Sequence, residues 1–175
     1  MTVSDALLPA ALRHRTSFVL ARLAALSRTH CAERLATLGL NQHQHAILCC
    51  LDEFGPAIQR DVAARLDLDS GDLVSFLDRL QAAELIRRDR DSRDRRRQIL
   101  TITQAGQRLL RQAETLLDEA EPELFAGLPA AEVEQLRALA TGVLTRHAAQ
   151  AWRRQSPPPD DEQSSAIARG SGHQG

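Results

Sequence analysis

One stretch, Glu84–Thr103, limits the folds open to this chain because its pattern is that of two short β-strands around a charged turn. The apolar, β-prone segments Leu85-Ile86 and Ile99–Ile102 flank Asp91–Arg97, in which Asp alternates with Arg. This arrangement is typical of a β-hairpin with a solvent-exposed tip. The interleaved aspartates give each Arg a local partner, which can hold the guanidinium groups in place.

Positive charge is concentrated around this hairpin. Between Ile86 and Arg111 the sequence has nine Arg and three Asp, hence a net charge of +6 in a chain whose total is −1. Arginines on a projecting ribbon suit a phosphate backbone or a minor groove. The alternative for the hairpin by itself is a solvated, salt-bridged turn without a ligand.

Composition narrows the class of protein further. With 175 residues, 43% hydrophobic and 26% charged, the chain suits one globular domain or a compact pair. Aromatic residues make up only 3%, without any Tyr, which argues against a stacking platform for single-stranded nucleic acid. No segment resembles a membrane span or a secretory leader, and three cysteines do not make a disulfide framework. We therefore expect a cytoplasmic protein without membrane contact.

Apolar residues recur at helical spacing on both sides of the hairpin. Asn41, Asp69 and Thr103 are expected to cap three of the helices. The expected helices are a long one within 7–38, broken once near its end, then Gln42–Glu53, Ile58–Leu66, one that follows Asp69, one from Gln104 to about Leu124, and Ala131–Trp152.

These elements predict a mostly α fold organised around a winged helix-turn-helix at residues 39–103, with a two-stranded β-wing. The helix in 7–38 and the C-terminal helices in 104–152 are expected to form a dimerisation region, since long amphipathic helices need a partner for their apolar faces. The Pro-, Ser- and Gly-rich segment 153–175 is expected to be a disordered tail.

Four motifs resemble those of the MarR family of bacterial winged-helix regulators, which respond to small molecules or oxidants. They are G-L-N-x-x-Q-x-A-I-L from Gly39, G-P-x-x-Q-R-D-V-A-A-R-L from Gly55, V-S-F-L-D-R-L from Val74, and D-S-R-D-R-R-R-Q-I-L-T-I-T from Asp91. The resemblance covers residues 7–152. It implies a homodimeric repressor that binds double-stranded DNA. An effector would release this repressor from a pseudo-palindromic operator.

The resemblance also assigns residues to the DNA interface. Asp94 corresponds to the wing Asp that braces Arg96, and Arg96 to the Arg that reaches the minor groove. The other assigned residues are Arg93 and Arg95 as phosphate contacts, Ser70, Gly71, Asp72 and Ser75 on the recognition helix, Gln59 and Arg60 on the preceding helix, and Arg79 late in the recognition helix.

Two of these positions depart from the family's usual Ser-Thr pair. Gly71 has no side chain with which to read a base. Asp72 would repel phosphates unless it caps the helix or accepts from a cytosine amino group, and we favour the cap because an acid suits the third helical position.

The expected effector is a small aromatic or anionic molecule. Candidate binding residues are His14, Arg15 and Phe18 on the first helix and His45 with Cys49 on the second. A cation together with His suits a carboxylate or phenolate. The alternative is that these are ordinary solvent-facing side chains of long helices.

The sequence leaves other functions open beside this one. A thiol-based redox-sensing repressor could use Cys31 or Cys49, although the oxidant-sensing relatives surround their cysteine with Tyr, which this chain lacks. His45 and Cys49 are spaced for a metal, but the further His ligands of zinc-sensing relatives have no match, so we assign no metal and no cofactor. No catalytic motif indicates an enzyme. A winged-helix module that binds an acidic protein remains the alternative from a different class.

Overall fold

The computed structural model describes residues 9–90 and 97–155. The chain divides into two compact units, Met1–Ala126 and Gly127–Gly175. The elements of the first unit are α1 (Ala10–Arg13), α2 (Thr16–Ala36), α3 (Gln42–Phe54), β1 (Ala57–Ile58), α4 (Gln59–Leu66), α5 (Ser70–Ala82), β2 (Ile86–Arg90), β3 (Gln98–Ile102) and α6 (Gln104–Leu124), and the second unit contains α7 (Ala130–Gln155).

Three helices begin at the capping residues that the sequence predicts. The Asn41 side chain accepts from the backbone N–H of Gln44, whose side chain in turn accepts from the N–H of Asn41. Thr103 accepts from the N–H of Gly106 at the start of α6, and Asp69 caps α5 in the same way. Each cap satisfies a backbone donor that has no partner within its helix, so local chemistry fixes where these helices start.

The hydrophobic core of the first unit is built mainly from leucine and isoleucine side chains of the helix-turn-helix. Packing of one apolar face from each helix against the sheet removes these side chains from water, which is the main stabilising term in a domain of this size. The fully enclosed residues are Leu35, Ile47, Leu48, Leu51, Val62, Leu73, Leu77, Leu80, Ile86 and Leu100.

The wing is part of an antiparallel sheet whose strand order is β1-β3-β2. In the β2–β3 pair, Ile86 lies opposite Ile102 and Arg90 lies opposite Gln98. The predicted two-stranded wing is therefore present. The sequence missed β1, where Ala57 pairs with Leu100, because two residues give no detectable alternation.

The N-terminal helix breaks near its start and not near its end. Arg15 is extended, with φ −94° and ψ 104°, and separates the single turn of α1 from the 21 residues of α2. Neither His14 nor Arg15 is a helix breaker, so nothing in the sequence marks the position. At the other end, Gly39 adopts φ +71° and turns the chain towards α3.

The second unit consists of α7 and its connection. The helix begins one residue before the predicted start and continues three residues past Trp152. Leu139 and Leu144 are 65% and 70% exposed. None of the helices that the structure describes is both long enough and apolar enough to cross a membrane.

Candidate nucleic-acid interface and the His45–Cys49–Glu114 cluster

Helix α5 has one fully buried face and one polar, exposed face. Leu73, Leu77 and Leu80 are completely buried and recur at the spacing of one helical face. The five residues assigned to the recognition helix are all exposed: Ser70, Gly71, Asp72, Ser75 and Arg79. Burial thus fixes the rotation of α5 and leaves these five positions accessible to a ligand.

The N-terminus of α5 is capped by Asp69. Its Oδ1 accepts from the backbone N–H of Gly71 at 2.7 Å. Asp72 is the third residue of α5 and is exposed, so it stands at the first-turn position on which the cap interpretation rests, while Asp69 makes the capping hydrogen bond. The charge of Asp72 is placed favourably, because the N-terminus of a helix carries partial positive charge.

Helix α4 precedes the recognition helix and starts with the two residues assigned to backbone contacts. Gln59 is half-buried, whereas the Arg60 side chain is 85% exposed. The Nε atom of Arg60 lies 3.9 Å from Oδ1 of Asp61, too far for a hydrogen bond. Arg60 is therefore available to a phosphate.

The base of the wing is fastened to α5 by an ion pair. Nη2 of Arg88 in β2 lies 2.5 Å from Oδ1 of Asp78 in α5. In β2 itself, Nε of Arg87 donates to Oδ2 of Asp89 at 2.7 Å. Sequence reasoning missed the Arg88–Asp78 pair, since ten residues and a turn separate the partners. The predicted tip contacts Arg93, Asp94, Arg95 and Arg96 lie outside the described residues.

His45, Cys49 and Glu114 come together where α3 packs on α6. Nε2 of His45 lies 2.6 Å from Oε1 of Glu114. The Cys49 Sγ lies 3.5 Å from that nitrogen and 3.7 Å from that oxygen. The i, i+4 spacing of His45 and Cys49 was visible in the sequence, but Glu114 is more than sixty residues away and was missed.

The cluster affects the ionisation of its thiol. Burial raises the pKa of Cys49 to about 12, and the negative charge of Glu114 and its hydrogen bond with the thiol act in the same direction. The thiol is therefore protonated at neutral pH. Cys50, by contrast, is 3% exposed and lies in the core, as its helical stripe predicts.

The other candidate effector residues lie near the start of α2. His14 follows α1, Arg15 precedes α2, and Phe18 is half-buried in the first turn of α2. Two cavities among the described residues lie elsewhere along α2 and α6, and none of the five candidate effector residues lines either one. The smaller, about 250 Å³, is lined by Ser27, His30, Cys31, Leu117, Asp118, Glu121, Leu124 and Phe125. The larger, about 590 Å³, is lined by Thr37, Leu38, Arg108, Arg111, Gln112, Thr115, Leu116 and Glu119.

Comparisons with known proteins give one consistent result. The MarR family model matches residues 40–97, from the start of the helix-turn-helix to the residue before β3. CouR from Rhodococcus jostii RHA1, solved with p-coumaroyl-CoA, is 28% identical at a TM-score of 0.65, with 77% of this chain and 95% of CouR covered. A probable transcriptional regulator from Pseudomonas aeruginosa is 26% identical at a TM-score of 0.68, with coverage of 75% and 98%.

A mutant of MarR from E. coli, solved in complex with operator DNA, is 22% identical at a TM-score of 0.66, with 82% of this chain and 99% of that chain covered. At this identity the comparison concerns the fold. The family match includes α5 with its exposed face, and over residues 40–97 this chain is similar to the MarR family of winged helix-turn-helix transcriptional regulators.

Proposed function

We propose that this protein is a homodimeric repressor that binds a pseudo-palindromic operator in the cytoplasm and is released by a small aromatic or anionic effector. One observation carries the proposal: α5 buries Leu73, Leu77 and Leu80 completely and exposes its polar face. A helix held by its apolar face, with its N-terminal polar residues accessible, is what a major groove accepts. This is a regulatory role and not an enzymatic one.

The basic wing supports the same proposal. The Arg88–Asp78 pair links β2 to α5, so the base of the wing is held against the recognition helix. Arg96 corresponds by resemblance to the arginine that enters the minor groove, with Asp94 bracing it and Arg93 and Arg95 beside it. Contacts from Gln59 and Arg60 to the phosphate backbone would fix the register of α5 on the duplex.

An effector that is a carboxylate or a related anion fits the chemistry of the chain. CouR has been solved with p-coumaroyl-CoA, which is both aromatic and anionic. In this chain the larger cavity is lined by Arg108 and Arg111, which supply the cationic groups that an anion requires. We retain His14, Arg15 and Phe18, together with His45 and Cys49, as proposed effector contacts.

The thiol-sensing alternative is weakened at Cys49. The thiolate is the nucleophile in thiol oxidation, and the raised pKa of Cys49 keeps the thiol protonated at neutral pH. Cys31 is half-buried on the wall of the smaller cavity.

The test is selection of duplexes from a random pool by the purified protein, followed by fluorescence anisotropy on the recovered sequence. We expect a two-fold symmetric site and an affinity that falls roughly 10³-fold between low and moderate salt, because each protomer contacts several phosphates. Arg96→Ala should weaken binding by about 1–3 kcal/mol.

Arg28→Ala is the matched control, since Arg28 is an exposed arginine of α2, away from the helix-turn-helix. It should bind like the parent chain. If no preferred sequence is recovered and the affinity for DNA does not change with salt concentration, a protein-interaction module is favoured instead.

The effector is tested by adding aromatic carboxylic acids to the preformed protein–DNA complex. We expect these acids to release the DNA. Release by peroxide alone would reject this part of the proposal.

A further inference from the structure

We propose that His45, Cys49 and Glu114 form a binding site for a transition-metal ion of the Zn²⁺ class that links α3 to α6. The three side chains offer one nitrogen, one sulfur and one oxygen, and these atoms all lie within 4.8 Å of one another. This revises the expectation of no metal site, which rested on the absence of a further His in the helix after the wing. The carboxylate of Glu114, also in α6, supplies the third ligand instead.

The distances between the ligand atoms suit a tetrahedral ion. Bond lengths of about 2.0–2.3 Å require ligand atoms roughly 3.3–3.8 Å apart. The two distances from Cys49 Sγ, 3.5 Å to His45 Nε2 and 3.7 Å to Glu114 Oε1, already satisfy this. The His45–Glu114 distance is 2.6 Å, a hydrogen bond that must open by about 1 Å.

That opening requires little rearrangement. The Glu114 side chain is 53% exposed and can rotate, whereas the His45 side chain is only 16% exposed and stays beside Cys49. The backbone is fixed on both sides, because Leu48 of α3 and Ala113 of α6 are completely buried in the core. The site is therefore largely preformed, with one mobile ligand.

The donor set selects the kind of ion. Mg²⁺ and Ca²⁺ prefer oxygen ligands only, whereas imidazole and thiolate together suit Zn²⁺ and related transition metals. Three protein ligands leave the fourth position for water or for an oxygen of an anion. Asp52 lies nearby, but its Oδ1 already accepts from Nε2 of Gln107 at 3.1 Å.

Cobalt(II) provides a direct test, since bonding of a thiolate to Co²⁺ gives a near-ultraviolet charge-transfer band. Full-length, tag-free protein is titrated with Co²⁺, and Zn²⁺ is then added in competition. We expect one Co²⁺ per protomer, the thiolate band, and displacement by Zn²⁺. Cys49→Ser should abolish the band. His45→Ala and Glu114→Gln should each lower the affinity at least about tenfold, the loss that even outer-shell partners cause.

Two variants serve as matched controls. Cys31→Ser removes another half-buried thiol, and Glu119→Gln removes another exposed carboxylate of α6. Both should bind Co²⁺ like the parent chain. The proposal is overturned if no thiolate band forms, if the band survives in Cys49→Ser, or if Glu114→Gln and His45→Ala bind as tightly as the parent. Glu114 is exposed within a helix, so its variant should fold normally, and none of these outcomes depends on DNA binding.

Discussion

Arg88 is largely buried although the neighbouring wing arginines Arg87 and Arg90 are exposed. Its side chain is 16% exposed and pairs with Asp78, and its Nε is buried with no hydrogen-bond partner among the described residues. The stability of the protein depends on the pairing of this arginine with the Asp78 carboxylate, because a buried charge without a partner costs free energy. Arg88 therefore has a structural role in positioning the wing.

This role leads to a prediction about two aspartates. Asp78→Ala should lower the free energy of unfolding by about 1 kcal/mol, since Asp78 is itself 61% exposed and water partly replaces it. Asp89→Ala is the matched control: it removes the Arg87 pair, whose side chains are 66% and 55% exposed, and should cost under about 0.5 kcal/mol. Urea unfolding measures both. Equal effects would mean that Arg88 does not depend on Asp78.

Residue-level contacts are also where sequence reasoning reached its limit. The caps at Asn41 and Thr103 were predictable because their partners are three residues away. The partners of His45 and Arg88 come from other elements. No local sequence pattern indicates that Glu114 lies beside His45 or that Asp78 lies beside Arg88. Such pairs follow from packing, which local patterns do not encode.

At the scale of elements, α6 starts in close contact with the turn that leads into the wing. The Thr103 hydroxyl donates to the backbone carbonyls of Glu84 and Leu85, and the Thr103 N–H also donates to the Leu85 carbonyl. A Cβ built on Gly106 would lie 2.2 Å from the Leu85 oxygen. The absence of a side chain at Gly106 is therefore what lets the two backbones approach.

Gly106→Ala should accordingly destabilise the protein by about 1–3 kcal/mol, because the backbone of Leu85 cannot move aside without disturbing the wing. Gly142→Ala provides the comparison within α7. A Cβ there meets only Nη1 of Arg146 at 3.6 Å, and the change should stabilise the helix by up to about 1 kcal/mol. Thermal or urea unfolding of the two variants should show shifts of opposite sign; a neutral Gly106→Ala would refute the close contact.

The order and type of the long elements were predictable because each carries a repeated signal. Helices α3 and α5 have apolar stripes and capping residues, and β3 has an apolar run beside a charged turn. The break before Thr16 and the strand β1 were not predictable. One is a change of backbone conformation without a helix-breaking residue, and the other is two residues that pair only because β3 is adjacent.

At the scale of the whole molecule, both flanking helices expose large apolar side chains. In α2, Val19, Leu20 and Leu26 are 46%, 44% and 59% exposed. In α7, Leu139 and Val143 are 65% and 45% exposed. Exposed apolar side chains that are grouped on a protein surface mark sites of interaction with another protein. They support the proposal that a second copy of the chain covers them.

The last prediction tests that dimer. Leu139→Glu removes an apolar side chain from the α7 face that also carries Val143, and each dimer contains the change twice. Full burial of one leucine is worth at least about 1.5 kcal/mol, so two copies account for about 3 kcal/mol. We therefore expect the dimer to dissociate at roughly a hundredfold higher concentration.

Thr141→Glu is the control, because position 141 lies about 160° around the helix from Leu139 and introduces the same charge. Sedimentation over a concentration series measures the dissociation constant of parent and variants, and anisotropy measures operator binding beside it. If Leu139→Glu is monomeric, it must also lose affinity for the full operator while it keeps weak binding to a half-site. The reason is that the two recognition helices of a dimer, held one DNA turn apart, both add to the affinity for the full operator. If the Leu139→Glu variant and the parent chain had the same dissociation constant, the dimer would be formed by another surface.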